Sequence, residues 1–269
     1  MRALCLAICL SVSALPAWAN ARVTLLMDAL KVTEVVSILR AEGLSYAQTL
    51  DADMLNGQGG AFWTSQVDRI YDAERIEETV RAALEAGLEE EEIEAALAFF
   101  TSERGTRIVR LENAARTAMA DPEVDEAARE IYESLRDSDG PLVQLVSHYI
   151  DVNDLLERNV SGAMSANYQF YKGLSDGRFM RRSDADILDE VWAQQDDIRT
   201  DTESWLHGFL LMAYQPLPLE DMQAYVDYSA SPEGQALNAA LFEGFETVYR
   251  DLSYALGRAV ALNAAGDEI

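Results

Sequence analysis

The chain repeats part of its own sequence: residues 63–105 recur in diverged form 129 positions further on. The shift needs no gap and superposes 10 identical residues over 43 positions, where chance would give about two or three. The identical pairs are Trp63 with Trp192, Gln66 with Gln195, Asp68 with Asp197, Asp72 with Asp201, Glu74 with Glu203, Leu88 with Leu217, Glu91 with Glu220, Ala95 with Ala224, Ser102 with Ser231 and Gly105 with Gly234. A period this long is typical of tandem domains rather than of a solenoid.

Upstream of this block the register of the repeat changes to 120. The apolar stripe Leu25, Ala29, Val32, Val36 and Leu39 then falls on Leu145, Tyr149, Val152, Leu156 and Asn159. The second copy therefore carries nine more residues between the two blocks. The turn-rich, basic stretch 175–183 is where we place them.

Apolar residues recur at alternating intervals of four and three, which predicts amphipathic helices. Residues 205–214 are apolar almost all round, so this helix is expected to be buried. The apolar repeat over 241–262 spans about three heptads, which suit either a homo-oligomer or packing within one bundle, and we favour packing. No segment alternates as a strand would. The sequence predicts an all-α fold of tandem, duplicated helical-bundle units.

Each copy contains a short helix with an acidic start, followed by Ser-x-x-Gly. Negative charge suits the positive end of a helix dipole. The serines, Ser102 and Ser231, are expected to cap the next helix, with Pro232 at its first position. A glycine at the third helical position costs about 1 kcal/mol relative to alanine. Its presence in both copies therefore predicts the close approach of another helix.

This unit resembles the core of a bacterial family called domain of unknown function 2059 (DUF2059). The resemblance is carried by Leu88, Glu91, Phe99, Phe100, Ser102 and Gly105 in the first copy, and by Leu217, Glu220, Tyr228, Ser231, Pro232 and Gly234 in the second. The first copy departs from the pattern with Glu103 in place of proline, and the second with Ser229 in place of an aromatic residue. The resemblance covers about 45 residues of each copy. It implies a helical, exported protein without an assigned catalytic residue.

The first 19 residues have the parts of a secretory signal. Arg2 precedes an apolar run too short to span a membrane, and a small-x-small cleavage site ends at Ala19. Both cysteines, Cys5 and Cys9, lie in this segment, and Ile8 before Cys9 argues against lipid anchoring. We expect a periplasmic protein with a signal peptide at 1–19 and helical domains at 20–138 and 139–269.

Beyond the signal the chain has 20 basic and 47 acidic side chains. A field of this sign repels the phosphates of nucleic acids, so binding to nucleic acid is not expected. The basic stretch that contains Arg178, Arg181 and Arg182 stands out against this background. It suits docking to an acidic partner or neutralisation by the protein's own acidic faces, and the second interpretation is preferred.

The residues that catalysis requires are scarce. The chain has only two histidines, His148 and His207, and no Gly-x-Ser-x-Gly elbow. Glu203 and His207 are spaced as two metal ligands on one helix face would be, but a hydrogen bond of His207 within a packed helix is the preferred interpretation. We predict no enzyme activity, no metal and no cofactor.

Three functions remain from the sequence. The first is protein interaction or envelope maintenance through helix faces. The second is a carrier that holds a small apolar molecule, lined by Trp192, Trp205, Phe209 and Met212. The third is a metal-assisted hydrolase around Glu203 and His207.

Overall fold

The predicted helical pattern accounts for most of the described chain. The computed structural model describes residues 15–266, in which there are thirteen α-helices and no strand. This confirms the all-α prediction. The helices are α1 (Leu15–Ala29), α2 (Val32–Met54), α3 (Gly60–Ile70), α4 (Ala73–Gly87), α5 (Glu90–Phe100), α6 (Glu103–Ala118), α7 (Pro122–Leu135), α8 (Pro141–Val152), α9 (Leu155–Asp176), α10 (Asp184–Ala193), α11 (Gln195–Tyr214), α12 (Leu219–Ala230) and α13 (Pro232–Gly266).

Most of the predicted signal peptide lies outside the described residues, including Cys5 and Cys9. Residues 15–19 belong to α1, so the predicted cleavage point after Ala19 falls within that helix. Over residues 15–266, every helix is too short or too polar to cross a membrane.

One helix break lies in the N-terminal part of each half of the chain. Lys31 separates α1 from α2 and Asp154 separates α8 from α9, each in the left-handed conformation with φ 52°. The predicted continuous stripe from Leu25 to Leu39 is therefore wrong. The break turns α1 relative to α2, which leaves Leu25 56% exposed and buries Leu26 instead.

These two breaks have a different spacing from the predicted upstream register of the repeat. Lys31 and Asp154 are 123 positions apart, not 120, and the buried pair Val23 and Val146 follows the same spacing. If the two halves are copies, this spacing leaves six extra residues in the second half, whereas the predicted register gives nine. Because a helix repeats every 3.6 residues, a slip of three keeps an apolar stripe nearly in place, and periodicity alone does not detect it. The duplication itself stays a prediction.

The Ser-x-x-Gly segments form two similar turns. The amide of Gly105 donates to Ser102 Oγ and that of Gly234 to Ser231 Oγ, at 3.1 Å in each case, which confirms the predicted caps. A Cβ at Gly105 would lie 2.3 Å from the Phe99 carbonyl oxygen, and one at Gly234 would lie 2.1 Å from that of Tyr228. The close neighbour is thus the last turn of the preceding helix, as the predicted approach of another helix requires.

Helices from both halves share one hydrophobic core, which is built around α13. This helix packs along α9 and also against α4 and α5, while α11 packs against α6 and α7. Side chains of α13 bind the backbone exposed at the break after α8: Gln235 Nε2 donates to the Val152 carbonyl at 2.7 Å, and Asn238 Nδ2 to that of Asn153 at 3.0 Å. The core therefore crosses the predicted domain boundary at 138/139, and the boundary remains a prediction from sequence.

The apolar face of α13 is largely used inside the chain. Val248, Leu252 and Ala259 are buried, whereas Leu262 is 48% exposed. The predicted burial of 205–214 is confirmed for Leu206, Leu210, Leu211, Ala213 and Tyr214. Whether 241–262 also joins two chains stays a prediction.

Asp221 in the first turn of α12 ties that helix to α6. Its side chain is only 9% exposed and accepts from Arg104 Nε at 2.7 Å and from Arg107 Nη1 at 2.9 Å. Asp221→Asn is expected to lower the free energy of unfolding by about 1–3 kcal/mol, because it leaves both guanidinium groups without a charged partner. Urea unfolding measures the change. Asp227→Asn, on an exposed carboxylate of the same helix, is the control, and equal losses in the two variants would contradict the assignment.

Candidate functional site

A cleft of about 850 Å³ lies beside the contact of α9 and α13. Val35 of α2, Arg116 of α6 and Trp205 of α11 complete its walls. This volume lies in the range of small-molecule sites.

The cleft exists because its two main walls differ in side-chain size. On the α9 wall, Gly162, Ala163 and Ala166 are small, so that helix leaves space in front of it. On the α13 wall, Phe242 and Phe245 present aromatic rings. One side of the cleft is therefore broad and aromatic, and the other is open.

Two of the charges that line the cleft are already paired within the protein. Arg116 makes a two-pronged contact with Glu42, at 2.9 and 2.8 Å, and donates to Tyr249 Oη at 2.9 Å. Glu157 accepts from both terminal nitrogens of Arg199. These groups have little charge left for a ligand.

Arg158 is the arginine of the lining that forms no ion pair within the described part of the chain. The carboxylates of Asp154 and Glu246, which also line the cleft, form none there either. The Arg158 guanidinium carbon lies 5.2 Å from the centre of the Phe242 ring, and its Nε is buried without a hydrogen-bond partner. A buried donor without a partner costs about 1–3 kcal/mol. A ligand with a hydrogen-bond acceptor would offset part of this cost if the Arg158 side chain turned towards it.

The sequence identified only part of this cleft. Of the four predicted carrier residues, Trp205 lines it and stacks on Phe209 at 5.1 Å. Phe209 and Met212 do not line it, and Trp192 is 59% exposed in a separate groove between α9 and α10. Arg158 and the aromatic side chains of α13 were missed, although the spacing of Phe242, Phe245 and Tyr249 places them on one helix face.

The repeat-motif residues meet each other away from the cleft. Phe99 stacks on Tyr228 with ring centres 4.5 Å apart, and Phe100 packs edge-on to Tyr225 at 6.2 Å. Phe100 and Tyr225 are buried, whereas Phe99 and Tyr228 are half-buried. The other motif residues divide into buried Leu88, Leu217, Gly105 and Gly234, half-buried Ser102 and Ser231, and exposed Glu91, Glu220 and Pro232. They serve the fold and do not line the cleft.

A second polar cluster, centred on Glu112, lies in the core between the halves. Tyr214 Oη donates to Glu112 Oε1 at 2.5 Å, and Tyr149 Oη donates to Tyr225 Oη at 2.9 Å. Burial raises the pKa of Glu112 to about 7, against the opposing effect of hydrogen bonds from Tyr214 and Tyr225. Nothing in the sequence marked Glu112, since its partners Tyr214 and Tyr225 come from two distant helices.

Glu203 and His207, whose spacing would suit two metal ligands, both contact other groups of the protein. His207 Nδ1 lies 2.9 Å from the Glu203 carbonyl oxygen, and its ring stacks on Tyr132 at 4.4 Å. Tyr132 Oη also donates to Glu203 Oε1 at 3.2 Å. This confirms the preferred interpretation of His207 as a residue bonded within a packed helix. Among the described residues no three His, Cys, Asp or Glu side chains are grouped as metal ligands.

The predicted basic stretch is only partly neutralised. Arg182 Nη1 lies 2.9 Å from Glu190 Oε2 on α10. Arg178, in the left-handed conformation with φ 70°, and Arg181 are exposed. Neither forms an ion pair with a described residue.

Comparison with known proteins gives one match. Residues 74–133, from α4 into α7, match the model of a family described as an uncharacterized protein conserved in bacteria, DUF2059. This confirms the resemblance of the first copy, while the second copy stays a prediction. No curated protein and no solved structure matches the chain.

Proposed function

We propose that this protein, a member of the DUF2059 family through residues 74–133, is an exported, non-enzymatic carrier that holds an amphipathic small molecule. The proposed site is the cleft between α9 and α13. Export rests on the signal pattern of residues 1–19.

The observation that carries the proposal is an aromatic cleft with one uncommitted cation. Trp205, Phe242 and Phe245 offer apolar surface to the body of a ligand. Arg158 offers charge to its polar end. A concave, mostly apolar site with a few polar groups is the usual form of a ligand pocket.

The sequence favoured protein interaction, and one surface supports that function as a second candidate. Leu188 and Trp192 of α10 are 45% and 59% exposed, and with Met164 and Tyr168 of α9 they line a groove of about 440 Å³. Exposed aromatic residues are frequent anchors at interfaces. The cleft is the better-supported site because it encloses more volume.

Blocking the cleft is expected to abolish binding of an apolar probe. The probe is N-phenyl-1-naphthylamine, an uncharged dye whose fluorescence rises in apolar surroundings. The wild-type chain is expected to bind one dye molecule saturably. Ala163→Trp, which fills the cleft from the α9 side, should weaken that binding at least about tenfold, the equivalent of about 1.4 kcal/mol.

The matched control is Ala127→Trp, at an exposed alanine of α7. It adds the same side chain outside the cleft and should leave dye binding unchanged. Equal affinity of Ala163→Trp and wild type, with both chains folded by circular dichroism, would show that the dye does not occupy the cleft.

A further inference from the structure

A second pocket, of about 400 Å³, lies where α3, α4 and α13 meet. Each helix contributes one arginine to its lining: Arg69, Arg75 and Arg258. Arg69 and Arg75 are exposed and Arg258 is half-buried. All three guanidinium groups can therefore be reached from solvent.

None of these arginines is paired with a carboxylate of the described chain, since no ion pair within 4.0 Å includes any of them. Arg69 donates from Nε to the Ser65 carbonyl at 3.2 Å, and Arg258 makes a long contact of 3.4 Å with the Asp176 carbonyl. The remaining donors are uncommitted. The chain has 47 acidic and 21 basic side chains and is therefore negatively charged as a whole. Three unpaired arginines at one pocket give that pocket a charge of the opposite sign.

The charge of the pocket limits what it can hold. Asp251 is the one acidic residue among those lining it, which leaves the lining with an excess of two positive charges. Arg258 also interacts electrostatically with the Asp176 carboxylate, which lies outside the lining. Guanidinium groups form two-pronged hydrogen bonds with phosphate oxygens. A phosphate monoester carries close to two negative charges at neutral pH, which matches this excess.

The pocket floor is apolar. Its apolar lining, here called the floor, includes Leu252 and Ala259, which are buried, and Ile70, which is half-buried. A pocket of about 400 Å³ exceeds the size of one phosphate group. The space beyond the arginines therefore suits an organic group attached to the phosphate.

We propose that the pocket of Arg69, Arg75 and Arg258 binds the phosphate group of a phosphomonoester whose organic part lies against the apolar floor. The site is separate from the α9–α13 cleft and does not depend on the carrier function. A soluble phosphate ester and the headgroup of a phosphatidic acid share the chemistry that it recognises.

Calorimetric titration of the purified full chain with inorganic phosphate, at constant ionic strength, tests the site. The wild type is expected to bind one phosphate saturably. Arg75→Gln and Arg69→Gln should each weaken binding at least about tenfold, because each removes a charge-assisted contact. Both arginines are exposed, so neither substitution disturbs the core. Arg178→Gln removes an exposed, unpaired arginine from the basic stretch and should change nothing.

The source of the phosphate is assigned by sedimentation with phosphatidylcholine vesicles, with and without phosphatidic acid. Sedimentation that requires both phosphatidic acid and Arg75 indicates a lipid headgroup. Phosphate binding in solution without such sedimentation indicates a soluble ester. Absence of saturable phosphate binding, or equal weakening by Arg178→Gln and Arg75→Gln, would overturn the proposal.

Discussion

Replacing Gly257 by alanine is expected to lower the free energy of unfolding by about 3 kcal/mol. Gly257 lies where α13 crosses α9. An alanine Cβ there would lie 2.2 Å from the Phe170 carbonyl oxygen and 3.0 Å from the Leu174 amide nitrogen. Both atoms belong to the backbone of α9 and cannot rotate away, so the two helices must separate. The cleft that they form should open with them.

The matched control is Gly162→Ala, a helical glycine of α9 where a Cβ meets no other atom within 4 Å. This change should stabilise the chain by up to about 1 kcal/mol, because alanine favours the helix more than glycine does. Urea unfolding followed by circular dichroism measures both variants. Similar stabilities for the two variants would mean that α9 and α13 do not cross at Gly257.

Glu112→Gln is expected to make the protein less sensitive to pH. Burial raises the pKa of Glu112 to about 7, above the value of about 4.3 in an unfolded chain. At pH values between these two, the folded state binds this proton more tightly than the unfolded state does. The contribution of the proton to the free energy of unfolding is therefore complete below about pH 4 and is lost as the pH rises to about 7. Glutamine stays neutral and still accepts the hydrogen bond from Tyr214.

The difference in the free energy of unfolding between Glu112→Gln and wild type should therefore shift in favour of the variant by about 2–3 kcal/mol between pH 5 and pH 8. Thermal or urea unfolding at several pH values measures it. Glu126→Gln, at an exposed residue of α7, provides the control and should show no such growth. A parallel pH profile for wild type and Glu112→Gln would contradict the assigned role of Glu112.

The features that the sequence predicted correctly are local. Helices, the caps at Ser102 and Ser231, and the buried helix around Leu210 depend on residues within a few positions of one another. The helix breaks at Lys31 and Asp154 were missed because neither residue is the glycine usual in the left-handed conformation.

The cleft could not be predicted in the same way. Its aromatic wall and its cation come from α13 and α9: Phe242 follows Arg158 by 84 positions, and only the packing of the helices brings them together. Trp192 and Trp205 were equally good candidates in sequence. Their different exposures are set by neighbouring helices and not by their own segment.

Native mass spectrometry of the chain purified gently from its own host tests the carrier proposal most directly. We expect additional, non-covalent mass on the wild-type chain, which is lost on denaturation and is absent from Ala163→Trp. A bare wild-type mass, or additional mass that Ala163→Trp retains in full, would contradict the proposal that the α9–α13 cleft holds a small molecule.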